Sequence, residues 1–116
     1  MIYELREYLA ADGHGADLHR RFADHTLALF DRHDIPVAGY WTDQENPDRI
    51  IYLLRFPDKE SRDRAWTAFG DDPEWQSVKQ ASETDGPITA RVNSTLLVNP
   101  DYWRSDTVRG ASRAAR

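Results

Sequence analysis

The chain has 116 residues, which is enough for one domain and leaves little room for a second hydrophobic core. Lys and Arg number 15 against 20 Asp and Glu, and the formal net charge of −5 argues against nucleic acid or an anionic membrane as a partner. The absence of cysteine excludes disulfides, thiolate metal sites and cysteine nucleophiles, and favours the cytoplasm. We expect neither a transmembrane helix nor a signal peptide.

The start of the chain predicts a strand followed by a helix. Side chains alternate along residues 2–9, which is typical of a strand and places Glu4 and Arg6 on the same face. Apolar and histidine side chains then recur at spacings of three and four over residues 16–33, which predicts an amphipathic helix. The same periodicity turns His25 towards the sheet.

Two further strands are predicted in the middle of the chain. In the strand at residues 37–42, Gly39 indicates a bulge or a close approach by another group. Residues 49–56 form the most apolar strand of the sequence. A run without polar alternation indicates a central strand that is covered on both faces.

The last predicted elements are a broken helix and a final strand. Asp58 is placed as the N-cap of the first helical piece, which ends at Gly70. Asp72 and Pro73 restart the helix in the preferred order of cap and first-turn proline. Residues 88–98 alternate again and form the last strand, so the element order is strand, helix, strand, strand, broken helix, strand.

This βαββαβ order predicts a ferredoxin-like α+β domain over residues 1–100, with a four-stranded antiparallel sheet and both helices on one face. Residues 101–116 are rich in Ala, Ser and Arg and are predicted to form a flexible tail. The second sheet face would be left apolar and uncovered. Packing against the sheet of a second copy is the simplest way to cover it, so we expect a homodimer.

Several short motifs resemble one known family. They are IYELREY at the start, Phe22 with His25, Arg32 with His33, AGYW (38–41) and DPEWQ (72–76). In this order and spacing they are similar to NIPSNAP-family proteins over roughly residues 1–100. The resemblance implies membership of the dimeric α+β barrel superfamily, in which a ligand pocket commonly lies between the helices and the sheet. Relatives there include cofactor-free monooxygenases of aromatic polyketides, haem-degrading enzymes and non-catalytic binding proteins.

His25 is the first catalytic candidate. On the predicted helix it lies one turn after Phe22 and one turn before Leu29, on the face turned to the sheet. A histidine in an apolar cleft can serve as a general acid or base near neutral pH. The alternative is a core histidine that is hydrogen-bonded to the backbone or to a neighbour. His33, at the helix end, is expected to be structural because the helix dipole favours a protonated imidazole there.

Arg6 and Tyr40 are the other catalytic candidates. If Arg6 points inward, together with Tyr8 on the same strand face, it can bind a carboxylate or an enolate oxygen while Glu4 holds it. The alternative is a salt bridge between Arg6 and Glu4 across the sheet contact of the dimer. The Tyr40 hydroxyl is a candidate to orient a carbonyl or to act as an acid.

Four side chains are candidates to line a pocket for an aromatic or polyketide-like ligand, namely Phe22, Tyr52, Leu54 and Trp66. Trp41 and Trp75 are instead assigned to core or interface packing. The alternative is that the whole aromatic set is core packing. A cavity beside His25 would favour the pocket.

No cofactor and no metal are expected. The four histidines give no i, i+4 pair, and the sequence has no zinc motif, phosphate-binding loop or nucleophile elbow. The preferred hypothesis is a cofactor-independent enzyme that acts on a hydrophobic aromatic substrate by acid/base chemistry, in a cyclisation, isomerisation, dehydration or oxygenation. One alternative is a non-catalytic ligand-binding or scaffold protein. A third is a haem-binding or haem-degrading protein with one histidine as axial ligand.

Overall fold

The structure is a computed structural model that describes residues 1–104. Its elements, in chain order, are β1 (Ile2–Ala10), α1 (Gly15–Arg21), a π turn (Phe22–Thr26), α2 (Leu27–Arg32), β2 (Val37–Thr42), β3 (Arg49–Phe56), α3 (Lys59–Asp71), α4 (Pro73–Ser82) and β4 (Thr89–Leu97). The strands form one antiparallel sheet in the order β2-β3-β1-β4. This is the ferredoxin-like α+β arrangement, so the predicted fold class is confirmed. From residue 105 onward, the predicted flexible tail lies outside the described residues.

The helices cover only one face of the sheet. The alternate residues of β3 on that face are buried, namely Ile50, Tyr52, Leu54 and Phe56. They form one core with helix side chains, among them Leu18, Phe22, Leu29, Phe30, Ala65 and Phe69. Ile51 and Leu53 point the other way and remain partly exposed. The inner position of β3 is therefore as predicted. Within residues 1–104 the helices cover one of its faces, and the cover expected on its second face stays a prediction.

The first helix (15–32) contains a π turn, and this turn changes which of its residues face the sheet. A π turn adds one residue to the helical repeat. The buried residues consequently follow the series Leu18, Phe22, Thr26, Leu29 and Phe30. His25 falls outside this series and is exposed. The predicted orientation of His25 towards the sheet is therefore wrong.

Acidic side chains cap the other helices. The Asp58 carboxylate accepts a hydrogen bond from the Ser61 amide at 2.7 Å, and α3 continues one residue past the predicted end at Gly70. The Asp72 carboxylate accepts from the Glu74 amide at 2.8 Å, as the predicted cap of α4. It also contacts His33 Nε2 at 2.6 Å, so the end of the first helix is tied to the start of α4.

The glycine in β2 has both of the predicted features. The pairing of β2 with β3 shifts register between Val37 and Gly39, which is a bulge. The ring of Trp41 lies over Gly39 so closely that a Cβ there would overlap it. A side chain at Gly39 would therefore push the Trp41 ring away from the sheet.

Within residues 1–104, no helix covers the second face of the sheet. It carries apolar side chains from three strands, namely Leu5, Leu9, Trp41, Ile51 and Leu53, and we call it the open sheet face. Trp41 is the most exposed of these, at 53%. Among the helices of residues 1–104, none is long and apolar enough to cross a membrane.

Candidate functional site

A buried carboxylate is the centre of a polar cluster between the sheet and α3. Glu4 on β1 is fully buried. Its two oxygens accept hydrogen bonds from Arg62 Nε and Nη2 at 2.9 and 3.0 Å, and from Trp66 Nε1 at 2.8 Å. Ser94 Oγ on β4 and Arg6 Nη1 add bonds of 2.6 and 3.0 Å. We call this set, together with Tyr8 and Tyr52, the Glu4 cluster.

Glu4 stays ionised in this position. Burial alone would raise the pKa of its carboxyl, because an apolar environment disfavours the charged form. The hydrogen bonds from Arg62, Ser94, Trp66 and Arg6 outweigh that effect and lower the pKa from 4.5 to about 2. A carboxylate with so low a pKa is a poor proton acceptor at neutral pH. Glu4 therefore holds the surrounding donors in place and does not act as a general base.

Arg6 connects the carboxylate to two tyrosines. Beyond its bond to Glu4, its Nε donates to the Tyr52 hydroxyl at 3.1 Å and its Nη2 donates to the Tyr8 hydroxyl at 2.9 Å. The guanidinium carbon lies 4.4 Å from the ring centre of Trp66, within cation–π range. Burial alone would lower the pKa of Arg6, but Tyr8, Tyr52 and Glu4 outweigh it and raise the pKa. Arg6 is thus a permanent cation in a fixed orientation.

The two tyrosine hydroxyls leave one proton free. Tyr52 is fully buried and donates to the Tyr8 hydroxyl at 3.1 Å. The Tyr8 oxygen therefore accepts two hydrogen bonds, from Tyr52 and from Arg6. Among the groups of residues 1–104, no acceptor takes the proton of Tyr8 itself. Since Tyr8 is only partly buried, that proton is available to a bound molecule.

Tyr40 and Tyr52 remain protonated at neutral pH. Burial raises the pKa of Tyr40 to about 12, and the nearby Tyr8 adds to the effect. Burial also raises the pKa of Tyr52 well above 10, with Tyr8 contributing and Arg6 opposing. Tyr40 and Tyr52 stack with their ring centres 5.8 Å apart. These hydroxyls can donate hydrogen bonds, and they are not bases.

One side of the Glu4 cluster is open to solvent along β4. The strand register places Val92, Ser94 and Leu96 opposite Tyr8, Arg6 and Glu4, so all six side chains share the helix-facing side of the sheet. Val92 and Leu96 are each 43% exposed. Val92 and Leu96 therefore form an exposed apolar surface beside the Glu4 cluster, and the apolar part of a small molecule can pack against it.

The structure brings together most of the candidate residues. Arg6, Tyr52 and Trp66 belong to the Glu4 cluster, and Phe22 packs edge-on against both Tyr40 and Tyr52 at 5.8 and 5.6 Å. Leu54 is buried in the core, as are Phe22 and Tyr52, so these three support the site from behind. His25 lies on the opposite side of the first helix, outside the cluster.

Sequence reasoning did not assign site roles to Tyr8, Arg62 and Ser94. The alternation of β1 already places Tyr8 on the Arg6 face, and this was the available signal. Arg62 lies in the charged run 58–64, whose pattern is that of a solvated helix surface. Its contact with Glu4 joins residues 58 positions apart and leaves no local signature. Within residues 1–104, no group of three His, Asp or Glu side chains is arranged to hold a metal ion.

Comparison with known proteins agrees with the fold. The NIPSNAP family profile matches residues 3–102. A NIPSNAP domain protein from Burkholderia xenovorans is similar in structure, with a TM-score of 0.76 and 18% identity, over 90% of this chain and 100% of that one. A NIPSNAP family protein from Agrobacterium tumefaciens has a TM-score of 0.75 and 16% identity, over 87% and 94% of the two chains.

More distant structures share the same architecture. An antibiotic biosynthesis monooxygenase has a TM-score of 0.60 and 10% identity, over 86% of this chain and 99% of that one. Among curated proteins, none matches this chain. At these identities the structures support the fold alone. The family profile spans most of the sequence, and the chain belongs to the NIPSNAP family.

Proposed function

We propose that this protein binds a small aromatic or polyketide-like molecule through a carbonyl, phenol or enolate oxygen at the Arg6–Tyr8 end of the Glu4 cluster. The observation that carries the proposal is that the Tyr8 hydroxyl proton has no acceptor within residues 1–104. Arg6 and Tyr52 both donate to the Tyr8 oxygen and so leave that proton to point elsewhere. A ligand oxygen accepting that proton would lie beside the Arg6 cation. Its apolar body would rest on Val92 and Leu96.

We infer a cofactor-independent acid/base reaction as the activity of this site. Cyclisation, isomerisation and dehydration of such molecules, and their oxygenation by O₂, can each begin with loss of a proton from carbon to give an enolate. Water beside Tyr8 would accept that proton, because Glu4 is too weak a base and the tyrosines stay protonated. Tyr8 would donate its hydrogen bond to the oxygen on which negative charge develops, and Arg6 would stabilise that charge through the Tyr8 hydroxyl. Tyr40, with its raised pKa, would contribute a second neutral hydroxyl.

A non-catalytic binding protein is the second candidate. It is favoured by the state of Glu4, which is the one carboxylate of the Glu4 cluster and is held ionised by its hydrogen bonds. The cluster therefore contains no group suited to remove a proton from carbon. The haem alternative has less support, because all four histidines lie outside the Glu4 cluster.

Anthrone, an enolisable aromatic ketone, separates the two candidates. We expect the wild-type protein to bind anthrone with quenching of tryptophan fluorescence, and to accelerate exchange of its methylene protons with D₂O. Tyr8→Phe should slow this exchange by about 100-fold and weaken binding by about tenfold. Tyr102→Phe, at a side chain that is 86% exposed, is the matched control and should change neither value.

The outcomes of this experiment are distinct. Binding without accelerated exchange would support the binding protein and reject the enzyme. A second probe is 1-hydroxy-2-naphthoate, an aromatic phenol. If neither it nor anthrone binds, or if Tyr8→Phe binds them as tightly as the wild-type protein, the proposed site is rejected. A Soret shift on adding haem would instead favour the haem alternative.

We also propose that a second copy of the chain covers the open sheet face. Trp41 is 53% exposed there beside Ile51 and Leu53, an apolar surface of the kind that monomers rarely leave uncovered. Sedimentation at micromolar concentration should show a dimer, and Leu53→Arg should convert it to a monomer. A wild-type monomer would contradict this assembly.

A further inference from the structure

A groove of about 540 Å³ lies between the first helix and α4, on the side of that helix away from the sheet. Its walls include Arg21, Asp24 and His25 from the helix. Val78 and Ala81 from α4 form an apolar part, and Asp85 is also part of the lining. The groove shares no residue with the Glu4 cluster.

Arg21 is the unusual member of this lining. Its side chain is only 7% exposed, and its guanidinium lies 5.2 Å from the ring centre of Trp75. Nη1 donates to Ser82 Oγ at 3.0 Å and to Glu83 Oε2 at 3.1 Å. The buried Nε has no partner in the described part of the chain. Nη2 also forms no hydrogen bond within residues 1–104 and, unlike Nε, is not fully buried. It can therefore donate to an acceptor supplied by a ligand in the groove.

The π turn supplies the opposite charge. It turns Asp24 and His25 away from the sheet and into the lining of the groove. Neither side chain forms a hydrogen bond or an ion pair with any group in residues 1–104, and the same holds for Asp85. π turns inside helices often occur at functional sites. Here the inserted residue is what places an uncompensated carboxylate beside the groove.

The groove thus combines a cation with unused donors, uncompensated carboxylates and an apolar wall. A simple organic anion would be repelled by Asp24 and Asp85, and a simple cation would leave the donors of Arg21 unused. We propose that this groove binds a small zwitterion of the amino-acid type. Its carboxylate would face Arg21, its ammonium group would face Asp24 or Asp85, and its apolar side chain would lie on Val78 and Ala81.

Isothermal calorimetry with L-leucine tests the proposal. Two analogues each lack one charge: 4-methylpentanoate has no ammonium group and 3-methylbutylamine has no carboxylate. We expect leucine to bind at least tenfold more tightly than either analogue. No binding of leucine or of any other standard amino acid would overturn the proposal, as would equal binding of leucine and 4-methylpentanoate.

Variants locate the binding site. Asp24→Asn changes an exposed side chain and should weaken leucine binding by about tenfold, whereas Asp31→Asn, an exposed aspartate on the same helix outside this groove, should not. Ala81→Phe should block the groove and abolish binding. Unchanged affinity in both Asp24→Asn and Ala81→Phe would show that the amino acid binds elsewhere and would overturn the assignment.

Discussion

The Glu4 cluster lies between the sheet and α3, and the groove lined by Arg21 lies between the first helix and α4. Both contain a buried charged side chain, but its polar atoms are satisfied in opposite ways. In the Glu4 cluster, four side chains donate to one buried carboxylate. In the groove, Arg21 has an unused donor and Asp24 has no partner in residues 1–104. The first arrangement fixes geometry from within the chain. The second leaves charge for a ligand to compensate.

The difference has a physical origin in the two kinds of element. Glu4 lies on an inner strand, where burial removes water and every polar atom needs a protein partner. Asp24 lies on a helix surface, where water can solvate a carboxylate. Matched substitutions in the two regions should therefore have very different effects on stability.

The largest effect is expected for Glu4→Gln. The change removes the negative charge that compensates Arg6 and Arg62. Arg6 then has no anionic partner within residues 1–104, and Arg62 keeps only Asp63. We expect a loss of about 3–5 kcal/mol in the free energy of unfolding, measured by urea denaturation. Glu60→Gln, at an exposed glutamate paired with Arg64, is the control and should stay within about 0.5 kcal/mol. Equal effects of the two substitutions would contradict the role of Glu4.

The pH dependence of the unfolding free energy should also show the contribution of ionised Glu4. Because the folded pKa of Glu4 is about 2 and the ordinary value is 4.5, its contribution is complete above pH 4.5 and is lost as the pH falls towards 2. The linked change is about 3 kcal/mol. Unfolding free energies of the wild-type protein and of Glu4→Gln should therefore converge below pH 4.5. A constant difference between them down to pH 2 would rule out ionised Glu4 as the cause.

Tyr52→Phe should have an intermediate effect. It removes a buried hydroxyl that accepts from Arg6 and donates to Tyr8, and leaves the Arg6 Nε without an acceptor. We expect a loss of about 1–2 kcal/mol by urea denaturation. Tyr40→Phe, at a hydroxyl with no such bridge, is the comparison and should lose less. A larger loss for Tyr40→Phe would contradict the hydrogen-bond chain.

The smallest effect is expected for Asp24→Asn. This carboxylate has no partner in residues 1–104, so its removal should change the unfolding free energy by less than about 0.5 kcal/mol. Thermal denaturation without added ligand measures the effect. A loss of stability comparable to that of Glu4→Gln would show that Asp24 is structurally engaged, and the contrast between the two regions would not hold.

Much of the fold follows from local sequence signals. The predicted strands 37–42 and 49–56 have the observed bounds, because proline and loop residues delimit them and apolar residues fill them. Asp58 and Asp72 were identifiable as caps since a carboxylate just before a helix can accept from its first free amides. The strand period also placed Arg6 on the same face as Glu4 and Tyr8, and in the structure it contacts both.

The sequence pattern placed His25 on the wrong face of the first helix for a specific reason. Phe22, His25 and Leu29 fit a regular helix as well as Phe22, Thr26 and Phe30 fit a helix with a π turn. Hydrophobic spacing does not distinguish the two, because the extra residue is decided by packing against the sheet. Arg62 was missed for a related reason, since its partner Glu4 is distant in sequence. Long-range contacts of this kind define the site.

The strand order has a consequence for how the protein is made. β1 is synthesised first and becomes an inner strand, and one of its neighbours is β4, where Tyr3 pairs with Leu97. While the ribosome adds roughly 5–20 residues per second, one edge of β1 has no partner until almost the whole domain has emerged. During that time the Glu4 carboxylate also lacks its hydrogen bond from Ser94. The nascent chain therefore passes through a stage in which one edge of β1 is open to pairing with another chain.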